Sequence, residues 1–252
     1  MSSVSLREAL QPGAVPRFEL EEWRRDFGIV AGITGRGGAS EPFDLGLWSH
    51  TPVITAMSRW RSFRTSIPGF DACILGMQVH STRVAWQANL AGWLLLEGID
   101  GHATGSAGVL LTVTVADCVP VYLIDPAARR IALLHAGWRG TAAGMIRAGV
   151  EMLQAHGSEP GDLLMHCGVA ICGRCYEVGP EVFEALDLPS SEADGRGLVD
   201  LRTVLERQGR ALGVSRISIS DRCSAHDSTD FFSHRASHGA DGRMVAYLGV
   251  LP

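Results

Sequence analysis

Several protein classes are excluded by what the chain lacks. No apolar run approaches the ~20 residues needed to cross a bilayer, and residues 1–8 lack the basic and apolar segments of a signal peptide. The formal net charge of −5 leaves no basic footprint for general nucleic-acid binding. We therefore expect a soluble, cytoplasmic protein without nucleic-acid or membrane partners.

Cysteines and charged residues are too sparse for two further classes. The 6 cysteines are scattered over 252 residues, unlike those of small secreted disulfide scaffolds, so we expect mostly reduced thiols. Charged residues make up 19% of the chain and apolar residues 46%, a balance typical of a globular protein with a buried core rather than a disordered chain.

The hydrophobic pattern predicts strands and helices that alternate without a regular βαβ repeat. Runs rich in β-branched and apolar residues predict strands, among them 72–79, 109–115, 119–124, 131–134 and 244–250. Capping residues or prolines predict helix starts at Thr51-Pro52, Gly140-Thr141, Pro180 and Asp200. We predict a mixed α/β (α+β) fold: a flexible lead-in over residues 1–17, then one domain over residues 18–252 with mixed sheets flanked by helices.

Three potential metal ligands stand where predicted strands give way to turns. His80 and His135 each end a strand, and Cys118 lies between two strands. One thiolate and two imidazoles suit zinc, and three protein ligands leave its fourth position open for water or substrate. Asp117, next to the thiol, is a candidate acceptor for an imidazole N–H. The pattern therefore predicts a reactive zinc site.

Two alternatives use the same cysteines differently. Cys118 with His135 or His80 would form a nucleophile–base dyad without a metal, although a dyad needs only one base. Cys172 and Cys175 form a CxxC motif, which is redox-active or zinc-binding in other proteins. Because no second CxxC exists in the sequence, we interpret these two as structural thiols in a glycine-rich loop.

Arginines in glycine- or serine-containing loops are candidate anion ligands. Arg36, Arg139 and Arg235 lie in such loops, where a guanidinium can form a bidentate pair with phosphate, although a surface arginine is commoner. Residues 35–38 lack the Lys-Ser/Thr of a P-loop, so nucleoside triphosphate binding is not favoured. The histidines outside the predicted zinc site show no metal-like pairing: His50, His102, His156, His166, His226, His234 and His238.

The motifs around these ligands resemble the YfiH-like, or laccase-domain, family. They run through nearly the whole chain: Gln78-Val79-His80-Ser81, residues 114–121, 134–140, 34–40 and 175–178, Phe232-Ser233-His234-Arg235, and Gly242-Arg243. Members of that family are described as multicopper polyphenol oxidases, purine nucleoside phosphorylases and peptidoglycan-editing factors. The chain departs from the family pattern at Trp48, where histidine is common, and at Val169, where proline is usual.

The resemblance implies an α/β domain with zinc, or alternatively copper, held by His80, Cys118 and His135. It implies phosphorolysis of adenosine, inosine and methylthioadenosine, together with adenosine deamination. Asp117 and Glu177 are then the candidate catalytic acids, and the candidate substrate or phosphate ligands are Arg36, Gln78, Arg139 and Arg235. Three other functions stay open: a copper polyphenol oxidase, a Cys–His hydrolase, and a metal-stapled protein that binds or edits peptidoglycan precursors.

Overall fold

Two mixed sheets form the frame of the computed structural model, which describes residues 6–38, 40–88, 90–189 and 195–252. The seven-stranded sheet has the order β1 (Ala9–Gln11), β2 (Arg17–Glu19), β3 (Ile29–Thr34), β15 (Met244–Val250), β8 (Val109–Val115), β4 (Ala72–Met77), β6 (Gly92–Glu97). The six-stranded sheet has the order β14 (Arg216–Ile219), β11 (Leu164–Cys167), β9 (Val119–Asp125), β10 (Arg130–Ala136), β7 (Gly101–Thr104), β5 (Val84–Gln87). A small pair, β12 (Glu177–Val178) and β13 (Gly197–Leu198), lies apart from both.

Helices cover the outer faces of the two sheets. The six α-helices of the described residues are α1 (Glu21–Phe27), α2 (Val53–Ser66), α3 (Trp138–Ala142), α4 (Met145–Ala155), α5 (Pro180–Ala185) and α6 (Leu201–Ala211), and Pro160–Asp162 forms a short 3-10 helix. Trp60 and Phe63 of α2 pack on the seven-stranded sheet, whereas α4 and α6 pack on the six-stranded sheet. The result is a layered α/β domain with both sheets inside, as the sequence pattern predicted.

Strand alternation explains how both faces of β10 are buried. Ile131 and Leu133 belong to the core between the two sheets, while Ala132 and Leu134 belong to the core under α4 and α6. Successive side chains of a strand point to opposite faces, so an uninterrupted apolar run is what a strand buried on both sides requires. His135 shares the inward parity of Ile131 and Leu133, and therefore enters the space between the sheets.

The predicted elements agree with the structure in type and differ at some ends. The strands over 109–115 and 244–250 are confirmed residue for residue, and the Asp200 side chain caps α6 by accepting from the Arg202 backbone N–H. β4 ends at Met77 instead of residue 79. The helix predicted from Gly140 begins at Trp138, and the left-handed Gly144 (φ 91°) divides it into two helices.

The lead-in predicted for residues 1–17 differs from the structure over its described part. Residues 9–11 form β1 and pair with β2 at the sheet edge. Glu8 is buried, where its carboxylate accepts from Ser220 Oγ at 2.8 Å and lies 3.1 Å from His166 Nε2. The polar composition of the lead-in suggested a loose segment. The structure differs because Glu8 finds its hydrogen-bond partners more than 150 residues away in the sequence. Residues 1–5 lie outside the described part. Among all residues that the structure describes, no helix has the length and apolarity needed to cross a membrane.

Candidate metal centre

The three predicted ligands meet where the two sheets adjoin. His80 follows β4, Cys118 lies in the turn that carries the chain from β8 to β9, and His135 is the penultimate residue of β10. Their donor atoms all lie within 4.8 Å of one another. The imidazole centroids of His80 and His135 are 5.0 Å apart. The structure therefore brings together residues that are far apart in the sequence, as the strand ends predicted.

Asp100 positions two of these ligands. Its Oδ1 accepts from the His80 backbone N–H at 2.9 Å and from His135 Nδ1 at 3.0 Å. Its Oδ2 accepts from the N–H groups of Val79 (3.1 Å) and Ser81 (2.9 Å) and from Ser81 Oγ (2.8 Å). These bonds hold His80 in its left-handed conformation (φ 60°), which is uncommon for a residue other than glycine. Because His135 Nδ1 is engaged by Asp100, its Nε2 is left to face the cluster.

Asp117 has a different role from the predicted one. The imidazole N–H of His135 is donated to Asp100, so the expectation that Asp117 accepts it is wrong. Asp117 Oδ1 accepts from Ser224 Oγ (2.6 Å) and Ser233 Oγ (2.8 Å), and its Oδ2 accepts from the Arg235 backbone N–H (2.6 Å). The carboxylate therefore fastens residues 224–235 beside Cys118.

Gly137 lies where any side chain would crowd the cluster. A Cβ atom on Gly137 would lie 3.0 Å from Cys118 Sγ and 3.2 Å from His80 Cδ2. The backbone of Gly137 approaches the ligands so closely because β10 delivers His135 two residues earlier and α3 begins at the next residue. Glycine thus allows the chain to leave the strand without displacing the thiol.

The protonation of the cluster favours metal binding. Burial alone would raise the pKa of the Cys118 thiol, but the charge of His135 and hydrogen bonds from both histidines lower it to about 6. Burial would lower the pKa of His135, but the Cys118 thiolate and Asp100 raise it to about 9. The cysteine is therefore a thiolate at neutral pH, the form that binds metals, and a metal ion replaces the imidazole proton. The donor set fits zinc, and also copper.

A cavity of about 260 Å³ opens beside the cluster. His80 is exposed on that side, which leaves room for a further ligand from solvent. The residues that line the cavity include two of the three ligands and several polar or aromatic neighbours: His80, Cys118, Trp138, Arg139, Tyr176, His234 and Arg235. The Arg139 guanidinium lies 4.2 Å from the centroid of the Trp138 ring. Arg235 lies 5.0 Å from that of Tyr176 and donates from Nη1 to the carbonyl of Glu177 at 2.6 Å.

Two of the predicted substrate ligands, Arg139 and Arg235, thus line the cavity, and two do not. Arg36 pairs with Asp241, with Nη1 3.0 Å from both carboxylate oxygens, and lines a separate cavity of about 290 Å³. Gln78 makes three hydrogen bonds to Thr114, which attach the end of β4 to β8.

The candidate acid Glu177 also lies outside the cavity lining. It is an exposed residue whose carboxylate pairs with Arg196 at 3.0 Å. Its backbone carbonyl, and not its carboxylate, contacts a cavity residue, since that carbonyl accepts from Arg235.

Comparison with known proteins identifies the family. The model of the family described as multi-copper polyphenol oxidoreductase laccase matches residues 36–251. The chain belongs to this family. The purine nucleoside phosphorylase YlmD of Geobacillus stearothermophilus is 40% identical to this laccase-family chain, over 88% of the chain and 90% of the relative. Adenosine deaminase RL5, from an unknown prokaryotic organism, is 34% identical over 66% of the chain and 70% of the relative.

A solved structure shows the same fold. The crystal structure of YlmD from Geobacillus stearothermophilus matches with a TM-score of 0.86 and 28% identity, covering 97% of this laccase-family chain and 100% of that one. The layered architecture is therefore that of the YfiH-like laccase-domain proteins.

Sequence reasoning missed three residues of this laccase-family site. Asp100 was not among the predicted site residues, although it precedes β7 and holds two ligand-bearing segments. Tyr176 and His234 lie in motifs that carried the resemblance, and that was the signal available for them. Burial, followed by the negative charge of Cys118, raises the pKa of Tyr176 to about 12, so its hydroxyl remains a hydrogen-bond donor at neutral pH.

Proposed function

We propose that this protein is a zinc-dependent purine nucleoside phosphorylase that also deaminates adenosine. The observation that carries the proposal is the His80–Cys118–His135 cluster, which opens onto a cavity containing two arginines. Its curated relatives, named purine nucleoside phosphorylase and adenosine deaminase, support an enzyme of this kind. The expected substrates are adenosine, inosine and methylthioadenosine, with phosphate as the second substrate.

The arginines bind the phosphate in this proposal. Arg139 and Arg235 approach the cavity from α3 and from the segment held by Asp117. Two guanidinium groups match a phosphate dianion in charge and in hydrogen-bond geometry. The rings of Trp138 and Tyr176 restrict the two guanidinium groups, so less conformational freedom is lost when phosphate binds.

The metal ligands and their partners prepare the second half of the site. His80, Cys118 and His135 would hold the zinc ion, which would act there as a Lewis acid toward a substrate oxygen or nitrogen atom. Asp100 keeps the proton on His135 Nδ1 and thereby keeps Nε2 available to the metal. Cys118 remains a thiolate because His135 and His80 stabilise its charge.

His234 is the proposed proton carrier for the leaving purine. It lines the cavity and is exposed, and histidine is the residue type that most often transfers protons in active sites. The other candidates are less suited, since both carboxylate oxygens of Asp117 accept hydrogen bonds and the Glu177 carboxylate pairs with Arg196. Tyr176 complements His234 as a neutral donor to the substrate.

A product assay on purified, zinc-loaded protein tests the proposal. Adenosine with phosphate is expected to yield adenine and ribose 1-phosphate, and adenosine alone to yield inosine. His135→Ala is expected to abolish both reactions, whereas the buried Cys73→Ala, outside the cavity, serves as the matched control. No product from the zinc-loaded protein would refute the proposal. Activity that survives chelators but not thiol alkylation would favour the Cys118–histidine dyad instead.

The copper oxidase alternative has less support from the side chains. In the described ranges, two groups of potential ligands are found, and together they contain the three histidines 80, 135 and 226. Oxidation of phenols by a multicopper enzyme needs several coppers and a larger set of histidines. Metal analysis with phenolic substrates distinguishes the two functions. The cytoplasmic location and the absence of nucleic-acid partners stay predictions.

A further inference from the structure

A second group of potential metal ligands lies outside the cavity lining. It consists of Cys172, Cys175, Cys223 and His226, whose donor atoms all lie within 4.8 Å of one another. The CxxC motif supplies two thiols, and a segment about fifty residues later supplies the third thiol and the imidazole. The sequence contains no second CxxC motif, which favoured the interpretation of Cys172 and Cys175 as structural thiols without a metal. In the folded chain, Cys223 and His226 supply the two further ligands.

The distances match tetrahedral coordination. His226 Nδ1 lies 3.5 Å from Cys172 Sγ and 3.6 Å from Cys175 Sγ, so one ring nitrogen faces both sulfurs. Zinc bonds of about 2.3 Å to sulfur and about 2.0 Å to nitrogen at tetrahedral angles place such atoms roughly 3.6 Å apart. Three cysteines and one histidine are a common ligand set of structural zinc sites.

Backbone donors orient the sulfur of Cys223. The N–H groups of Cys172 and His226 both point to this sulfur, at 3.3 Å and 3.5 Å. Such contacts from outside the ligand set hold a ligating atom in place. Residue 223 also forms an isolated parallel bridge with Ala170, so the two ligand-bearing segments are already aligned side by side.

One ion pair anchors both segments. Asp200 Oδ2 accepts from the Gly173 backbone N–H at 3.2 Å, inside the CxxC turn. Arg202, paired with Asp200 at 2.9 Å, donates from Nη1 to the carbonyl of Arg222 at 2.8 Å, immediately before Cys223. The ion pair thus holds the backbone of both ligand-bearing segments.

We propose that Cys172, Cys175, Cys223 and His226 bind one zinc ion in a closed, structural site. Four protein ligands leave no coordination position open, in contrast to the cluster of two histidines and one cysteine beside the cavity. Each ligating thiol releases its proton to solvent, and no oxidation or reduction takes place. The site joins residues 170–176 to residues 223–226.

This second zinc supports the wall of the cavity. Tyr176, which follows Cys175, lines the cavity. Ile171 donates its N–H to the Asp117 carbonyl at 3.1 Å, and Ser224 donates to the Asp117 carboxylate at 2.6 Å. Both segments that the second zinc joins therefore hold Asp117, the neighbour of the ligand Cys118.

Metal analysis of the full chain, purified under reducing conditions, tests the proposal independently of any enzymatic activity. Wild type is expected to contain two zinc ions per chain, and His80→Ala and Cys175→Ser one each. Cys73→Ala, a buried thiol outside both clusters, is the matched control and should retain two. His226→Cys keeps four ligands and is expected to retain two as well.

A second measurement uses wild type alone, so a folding defect in Cys175→Ser does not leave the proposal open. Zinc should protect the half-buried Cys172 and Cys175 from alkylation, and a chelator should restore their labelling in a peptide map. Equal labelling in both conditions would overturn the proposal. So would one zinc per wild-type chain together with a Cys172–Cys175 disulfide, or two zinc ions in correctly folded Cys175→Ser.

Discussion

Replacing Asp100 by asparagine tests how the fold positions the metal ligands. Asp100 is fully buried and accepts five hydrogen bonds, two at Oδ1 and three at Oδ2. An asparagine must place its NH2 group at one of these positions, where it faces two or three donors. Either orientation therefore leaves N–H or O–H groups without their acceptor and removes the negative charge beside His135.

The expected effects follow from this count. An unpaired donor costs ~1–3 kcal/mol when it is buried, and the donors from Val79, His80 and Ser81 are only partly buried, so the free energy of unfolding of Asp100→Asn should fall by about 1–3 kcal/mol. Loss of a metal-orienting partner typically weakens metal binding ~10–100-fold. Zinc affinity should therefore fall by this factor, equivalent to about 1.4–2.7 kcal/mol.

The stability difference should also depend on pH. Burial would raise the pKa of Asp100, but hydrogen bonds from His135, Ser81 and Val79 hold it well below the usual range. A group with a depressed folded-state pKa stabilises the fold above its unfolded pKa of ~3.9, and this contribution is lost as the pH falls further. The difference in stability between wild type and Asp100→Asn should therefore be constant above about pH 5 and shrink below about pH 4.

The assay is the zinc dependence of activity in chelator-buffered solutions, combined with urea unfolding. Asp125→Asn is the matched control, because it removes a buried carboxylate at the end of β9 that lies away from Cys118. Asp125 accepts there from the Ala128 N–H at 3.0 Å. This control should lose stability without losing zinc affinity. Unchanged zinc affinity in Asp100→Asn, or an equal loss in both variants, would refute the role assigned to Asp100.

Three further predictions concern the cluster and the cavity. Gly137→Ala should weaken zinc binding, because its Cβ would push Cys118 Sγ or the His80 ring away by a few tenths of an ångström. An unaltered affinity by calorimetry would contradict the steric argument. In metal-free protein, the alkylation rate of Cys118 should rise through pH 6 and then level off, because His135 and His80 outweigh burial and lower the pKa of the thiol to about 6. A midpoint near ~8.5, the pKa of an ordinary thiol, would contradict this prediction. Arg139→Ala and Arg235→Ala should each raise the KM for phosphate roughly tenfold or more, because a lost charge-assisted hydrogen bond weakens binding by ~1.5–3 kcal/mol. Deamination of the nucleoside, which needs no phosphate, should persist, and equal losses of both reactions would contradict phosphate binding by these arginines.

Local patterns were sufficient to predict the layers and the ligand-bearing turns. The continuous apolar run of residues 131–134 reports a strand buried on both faces, which also fixes the inward direction of His135. The metal ligands were predictable because residues at strand ends converge where two sheets meet. The edge strand β1 of the seven-stranded sheet was not predictable. Its neighbour Glu8 is polar and can be buried only because His166 and Ser220 pair with its carboxylate.

Residues whose roles depend on distant partners could not be derived from local patterns. Proximity in sequence suggested Asp117 as the partner of an imidazole, yet the turn directs its carboxylate to Ser224 and Ser233. Asp100 fulfils that role from a position 35 residues before His135. The second cluster was missed for the same reason, since Cys223 and His226 approach the CxxC motif only when the chain folds.

Anomalous diffraction at the zinc edge, on crystals of the full chain, tests most directly whether an open metal centre exists. We expect a peak ~2.0–2.3 Å from donor atoms of His80, Cys118 and His135, at the edge of the cavity that Arg139 and Arg235 also line. No peak at this position, or a fourth side chain that closes the coordination sphere, would contradict it.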